Sequence, residues 1–537
     1  MLTVEGCVFF KMKRTIGIIC FIFIFLGISH AQGWPKIYSA IHAWGNYVIE
    51  NYDKGYIILG TKQDYKYGWV IKTDINGNIL WDKKIGDGQY IFAPKSIAST
   101  NDNGLIIAGT TTKYGNQQDA FILKLNSCGE LDWCSDVYTP AISYDLGWRV
   151  KPTTDQGYVL LGEFNDLNQN LRTNLFKFDS EGSLLWHQSY LPDSLAFGDD
   201  ALDVIVDSSG CLISATCYYP DPGQSGGWER FYLIRTDTAG NKLWSVIYGG
   251  NSYYHGFPST SLRSKTGNFY SFGKHNIINS YNENPAIIKV LGDGTQSYCK
   301  DIFSNISSGG SGASLWLNDS TFIVACGWAV NMYYAQDVLA KTDTLGNLIL
   351  SKNLLLTNGI NSIYKAFDDK IISIATTCLN GNCEILVYKV NSDLEYDSIY
   401  TKPFTYDSLC PHPIVSDTIN PDCNLVVNVE EPFTKPESHQ MKVFPNPVKE
   451  KLTVVFPKYL LIDNPLGPIQ STTIYHQWKS TLLEVYDLSG KKVFAKEVPR
   501  SETELLLDVS AWQRGMYVFR LLYNRQEVGN QKVVVKE

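Results

Sequence analysis

Short apolar, β-branched-rich runs recur along the chain, four of them opened by a turn glycine: "GYIILG" (55–60), "GLIIAG" (104–109), "GYVLLG" (157–162) and "GCLISA" (210–215). "TFIVAC" (321–326) and "KIISIA" (370–375) continue the series without that glycine. Such short runs between turn signals predict strands, not helices. In the second period the pattern gives four of them, roughly "KSIAST", "LIIAGT", "AFILKL" and "ELDWCS". "TNDNG" joins the first two, and "NSCG" joins the last two.

A ten-residue phrase closes each period. It reads "KTDINGNILW" (72–81), "KLNSCGELDW" (124–133), "KFDSEGSLLW" (177–186), "RTDTAGNKLW" (235–244) and "KTDTLGNLIL" (341–350), with looser echoes at 289–298 and 389–398. Successive copies start 48 to 58 residues apart, and strand-patterned periods of about 40–50 residues mark propeller blades. Asp or Asn at the third position can cap its own turn, Gly at the sixth tolerates positive φ, and Trp at the tenth supplies a plate for packing between blades. Seven copies predict a seven-bladed β-propeller over 32–405. The seventh copy has Leu394 for Gly and Ser398 for Trp, while "WPKIYSAIHAW" (34–44) reads as an orphan outer strand. Pairing that strand onto the last blade would close the ring and hide an edge.

The repeats resemble the Gly-Tyr-Ile-rich propeller repeats of secreted bacterial proteins, a likeness of architecture that implies no activity. The phrase also resembles the tryptophan-docking repeat of quinoprotein propellers. That family's dehydrogenases use adjacent cysteines, and no Cys-Cys occurs here. Asp74 and Gly77 are three apart, which departs from the sialidase Asp box. Most copies carry too few oxygen ligands for a calcium loop.

The period ends after Pro403, and 406–440 reads as a linker, polar and proline-bearing at "EEPFTKPESHQ" (430–440). Alternating runs then resume over 441–537 and predict a small Ig-like β-sandwich. Here "PNPV", "VYDLSGK", "GMYVFRL" and a lysine-bearing end follow in order. This set resembles the C-terminal sorting domain of the type IX secretion system, type A. Pro445, Asn446 and Pro447 match its opening motif, Tyr486, Asp487, Gly490 and Lys491 its middle, and Gly515, Tyr517 and Lys532 its close. The stretch 457–480 is longer than the family's usual connection. The resemblance implies export by the type IX machinery through the periplasm and outer membrane. Anchoring to surface lipopolysaccharide or release would follow.

The N-terminus fits that route. Lys11, Lys13 and Arg14 precede "TIGIICFIFIFLGI" (15–28), and "SHA" (29–31) offers a cleavage site, so 1–31 reads as a signal peptide, with Met12 an alternative start. Net charge is −8 with no basic run, which argues against nucleic acid as a partner. An exported chain with 12 cysteines should hold disulfides. Cys378 and Cys383 flank the turn "LNGN", and Cys410 and Cys423 could close the loop between them. Cys211 and Cys217 lie too far apart along one strand to pair.

Chemistry is sparse. "GQSGG" (223–227) satisfies G-x-S-x-G without the strand-to-helix context that motif needs. No catalytic residue, metal site or cofactor is expected. The longer connections of the repeat should emerge on one face with Tyr65, Tyr67, Trp69, Tyr218, Tyr219, Trp228, Tyr253, Tyr254, Trp328, Tyr333 and Tyr334, and we read these as a candidate ligand face. Asp199, Asp200 and Asp203 fall near it. The expectation is a secreted or surface-attached module that binds polysaccharide or a surface protein. The alternatives are a carbohydrate-active hydrolase or lyase with its site at the propeller axis, and a structural surface component.

Overall fold

The computed structural model describes residues 33–536 apart from 114–117, 139–144, 166–170, 191–198, 221–226, 249–254, 277–282, 305, 307–308, 332–333, 355–356, 358, 380, 428–440, 457–480, 500–503 and 524–525. The expected signal peptide and residues 223–226 of "GQSGG" lie outside the described residues; Gly227 opens a strand. Every regular element among the described residues is a β-strand. No helix among them is long and apolar enough to cross a membrane.

Among the described residues seven antiparallel sheets follow one another, each built on four strands. Their first strands are Trp44–Glu50, Phe92–Ser99, Leu146–Pro152, Asp199–Asp207, His255–Arg263, Gly309–Asn318 and Ile360–Lys365. These seven strands lie side by side in that order, and the last returns to the first. The result is a ring of blades, a β-propeller. Lys36–Tyr38 pairs with Asn382–Val390 and supplies the outer strand of the seventh blade. The ring is therefore closed by the N-terminal strand.

The repeated phrase explains itself once the blades are placed. Its third residue accepts two backbone N–H bonds from its own turn, as when Asp74 takes those of Asn76 and Asn78 at 2.8 Å each. Asn126, Asp179, Asp237, Asp343 and Asn391 repeat this. The glycine and the tryptophan act between blades. The Trp133 ring lies against Gly182 of the next copy, Trp186 against Gly240, and Trp34 of the closing strand against Gly77. Hydroxyls reinforce the contact: Tyr38, Tyr190 and Tyr248 each donate to the phrase glycine carbonyl of the next blade at 2.8 Å. Each copy is a socket for the copy before it.

The phrase's first residue has a partner as well. In blades 1 to 4 and in blade 7 its cation reaches the Asp of the turn between the first two strands. The pairs are Lys72–Asp53, Lys124–Asp102 (2.6 Å), Lys177–Asp155 (2.8 Å), Arg235–Asp207 (2.8 Å) and Lys389–Asp368 (3.0 Å). Both partners of Lys72–Asp53 are buried side chains, and Arg235 is buried against a half-buried Asp207.

Two expectations need correction. The part of 406–440 that is described, 406–427, is bound to the ring along its length. Asp417–Ile419 adds a parallel strand to the outer edge of blade 1, and Asn424–Val427 does the same on blade 2. Lys83 pairs with Asp417 at 2.9 Å. Each outer strand offers free N–H and C=O groups, and this strap satisfies them on two blades. The remainder of the expected linker, 428–440, lies outside the described residues. Second, Cys410 and Cys423 do not bond each other. Cys410 is linked to Cys128 and Cys423 to Cys134, because the strap brings each beside the second blade's outer hairpin. Cys378 and Cys383 are bridged across their hairpin. Cys211, Cys217, Cys299 and Cys326 are free.

The C-terminal domain has its own core, centred on Val454, Leu483, Val485, Phe519 and Val533. A three-stranded sheet (Lys442–Phe444, Lys451–Val455, Glu504–Asp508) and a four-stranded sheet (Thr481–Asp487, Lys492–Val498, Gly515–Tyr523, Gln526–Val535) enclose it. The motif residues hold its corners. The Asn446 amide donates to the Lys532 carbonyl at 2.9 Å and accepts from the Val534 N–H at 3.0 Å, tying the opening motif to the last strand. Asp487 caps the turn through the N–H groups of Ser489 and Lys491, and Gly490 takes φ +82° there. Tyr486 donates to Glu484, and Tyr517, buried against Trp512, donates to the Gln513 carbonyl.

Candidate binding site on the ring axis

A β-bulge sits at the same level of every first strand. The extra residues are Asn46, Lys95, Trp148, Leu202, Ser259, Gly312 and Asn361. A bulge turns the strand locally and re-aims the side chains around it. The bulge asparagines clamp neighbouring blades: Asn46 donates to the Pro94 carbonyl at 2.6 Å, and Asn361 to the Gly45 carbonyl at 2.5 Å.

From the bulges downward the axis holds a cavity of about 380 Å³, within the roughly 300–1,000 Å³ usual for small-molecule sites. Tyr47, Arg149, Lys151, Asp203, Thr260, Arg263, Ser314 and Asn361 are among its lining residues. Arg149 Nε stands 3.5 Å from Asp203, whose other oxygen accepts the Ser261 N–H at 3.1 Å. Thr260 and Ser314 share a hydrogen bond of 2.7 Å across two blades. Arg149 and Lys151 lie 6.0 and 5.9 Å from the Tyr47 ring centre. Tyr47 beside it, against the cost of burial and with help from Asp203, holds the Lys151 ammonium above the ordinary lysine range. At the bulge level Lys95 lies 5.6 Å from the Trp148 ring. Burial, and then the positive charge of Arg149, pull its ammonium below the ordinary range.

Carboxyl groups gather at the other end of the inner strands. Asp199 is fully buried, accepting the Thr173 N–H at 2.8 Å with Arg172 at 3.8 Å. Its pKa is pushed up to about 6, mainly by burial. Asp200 accepts from the Tyr218 hydroxyl at 2.5 Å. Burial and then the Asp200 charge drive Glu163, 4% exposed, far above the ordinary carboxylate range. Asp203 stands apart from Asp199 and Asp200, on the axial cavity. Among the described residues no group of three His, Cys, Asp or Glu side chains is placed to hold a metal ion.

Of the expected aromatic face, the described side chains Tyr65, Tyr67, Trp69, Tyr218 and Trp328 each contact other side chains of the fold. Trp69 is 5% exposed, donates to Asp82 at 2.7 Å and has Lys62 4.0 Å from its ring centre. Tyr65 stacks on Trp44 at 5.9 Å, and Trp328 meets Phe303 at 5.2 Å. Tyr67 is half-buried with Lys84 over its ring, and Tyr218 serves Asp200. Tyr253, Tyr254 and Tyr333, and the side chains of Tyr219, Trp228 and Tyr334, lie outside the described residues. The axial residues Tyr47, Arg149, Lys151 and Asn361 escaped sequence reading because the bulge level carries a different residue type in most blades.

Residues 442–536 match the model of a secretion system C-terminal sorting domain. Residues 100–132 match a β-propeller domain of unknown function, DUF5122. No curated protein matches the chain. Among solved structures it is similar to the β-propeller domain of the Trilobed protease from Pyrococcus furiosus, with 10% identity, 67% of this chain and 100% of that chain covered, and a TM-score of 0.39. It is also similar to the periplasmic gluconolactonase of Pseudomonas aeruginosa, with 13% identity, coverages of 66% and 97%, and a TM-score of 0.39. A protein of unknown function from Bacteroides caccae follows, with 12% identity, coverages of 48% and 82%, and a TM-score of 0.30. At such identities none of their activities transfers to this chain.

Proposed function

We propose that this exported β-propeller protein, carried by a type IX secretion sorting domain, is a binding module for glycan or for a surface protein, with the axial cavity as its principal site. The observation that carries the reading is that cavity: about 380 Å³, lined by charged, hydroxyl and amide side chains from blades 1, 3, 4, 5, 6 and 7. Its carboxylate, Asp203, is held by Arg149 and the Ser261 N–H, an arrangement suited to positioning more than to proton transfer. The sorting domain supports export followed by secretion or attachment at the cell surface. The periplasmic route, a cleaved signal peptide over 1–31 and lipopolysaccharide anchoring belong to the same proposal.

The test is a polysaccharide panel offered to the full-length protein, with retention and released sugar both measured. Retention without release is the expected result. Release of sugar would overturn it in favour of a hydrolase or lyase, and would direct mutagenesis to Glu163 and Asp200, whose carboxyls, pushed up by burial, lie outside the axial cavity. Neither retention nor release would favour a structural role.

A further inference from the structure

The charge balance on the axis is unlike that of the protein. The chain as a whole is acidic, at −8. At and below the bulges, Lys95, Arg149 and Lys151 come from two adjacent blades, and Asp203 is the one carboxylate paired among them. Among the described residues neither Lys95 nor Lys151 pairs directly with a carboxylate; Lys95 lies near the Trp148 ring, and Lys151 near the Tyr47 ring and within the field of Asp203. Arg263 adds a further cation at the rim, though Asp207 holds it at 3.2 Å. A half-buried cation without a direct counter-ion, Lys95 above all, gains from a negative charge brought beside it. Around them stand neutral groups that donate and accept hydrogen bonds: Thr260, Ser314, Asn361 and the Tyr47 hydroxyl.

Resting on the reading of the axial cavity as a binding site, we infer that its ligand is a small hydroxylated carboxylic acid, a sugar acid, whose carboxylate meets Arg149 and Lys151 while its hydroxyls meet the Ser, Thr and Asn fringe. Arg149 offers a planar fork suited to a carboxylate and Lys151 a compact charge. Asp203 lines the same cavity, pairs with Arg149 and opposes an anion there. Lys95, pressed by Arg149, adds positive field at the bulge level. A neutral sugar would leave these cations as they are and would gain only the fringe contacts.

Titration calorimetry of the full-length protein with D-galacturonate, D-galactose and inorganic sulfate separates the possibilities. Galacturonate should bind, and galactose at least tenfold more weakly. Lys151→Gln should weaken galacturonate about tenfold or more, as expected for loss of one charge-assisted contact. Asp203→Asn removes the opposing charge and should hold or tighten binding, so the two variants move in opposite directions while both keep the fold's backbone pairing. Equal affinity for galactose and galacturonate would overturn this inference and leave the binding reading standing. Sulfate binding without galacturonate would overturn the sugar-acid class. Weakening by Asp203→Asn as large as that by Lys151→Gln would overturn the charge argument. If a neutral glycan from the panel binds and no acid does, the inference alone fails; if no probe binds, both fail.

Discussion

A methyl group added at Gly182 would stand 2.5 Å from the Trp133 ring, on a backbone whose φ is +83°. Either problem alone costs about 1–3 kcal/mol. Gly182→Ala should therefore destabilise the ring by about 2 kcal/mol or more, read from its urea midpoint, whereas an alanine at Gly381, with nothing within 4 Å, should cost less. The ion pairs of the phrase make a second residue-scale prediction. Against the cost of burial, hydrogen bonds from Lys177, Thr153 and the Gly157 N–H pull the Asp155 carboxyl down to about 2. Asp102 and Asp207 are lowered in the same way by their own cations. A carboxyl whose folded pKa is depressed contributes stability above its unfolded pKa of about 4, and that contribution fades as pH falls toward about 2. Lys177→Met should lose stability at neutral pH, and its deficit against the native chain should shrink between about pH 4 and pH 2 in acid unfolding followed by fluorescence. A deficit constant over that range would remove the pair from the account. The phrase's Asp, Gly and Trp were legible in the sequence because their roles repeat at fixed spacing. Its leading cation was not, since the Asp partner lies about 20 residues earlier and the turn between them varies.

The strap over 406–427 is the element whose role is clearest from its energetics. Its two disulfides join positions 282 and 289 residues apart, so either one alone closes nearly the same long loop. With one in place, the other closes a ring of only about 20 residues. Chain entropy assigns about 3 kcal/mol to a loop of that size and about 6 kcal/mol to one of some 280 residues. Removing Cys128–Cys410 by paired serine substitution should thus cost about 3 kcal/mol, and removing Cys134–Cys423 as well should cost distinctly more than that again. Urea unfolding of the two double variants and the quadruple variant measures this, and equal steps would show that the strands at Asp417–Ile419 and Asn424–Val427, not the bridges, hold the strap. The segment looked like a linker because short edge strands of polar sequence carry no periodic signal. Their pairing depends on an open edge elsewhere in the chain.

At the scale of the molecule, closure depends on a strand of three residues, Lys36–Tyr38, docking on Asn382–Val390, and on Trp34 filling the Gly77 socket. A ring joined through its two ends protects every first strand, and those strands carry the axial residues. Rigid placement of Tyr47, Arg149, Lys151 and Asp203 around one cavity follows from that closure, and it is what the binding proposal relies on. The sorting domain adds the address without touching this argument: its motif residues are occupied in caps and strand ties of their own sheets.

Repetition, the turn chemistry of the phrase, the orphan strand near Trp34 and the ordered motifs after 441 were all determined by the sequence, because each is local or recurs at a fixed period. Where Cys410 and Cys423 bond, what covers the edges of blades 1 and 2, and which charges meet on the axis were decided only by the tertiary structure. Arg149 and Asp203 are neighbours because two first strands, each bulged at one level, converge on an axis. No spacing along the chain encodes that, since convergence is a property of the closed ring.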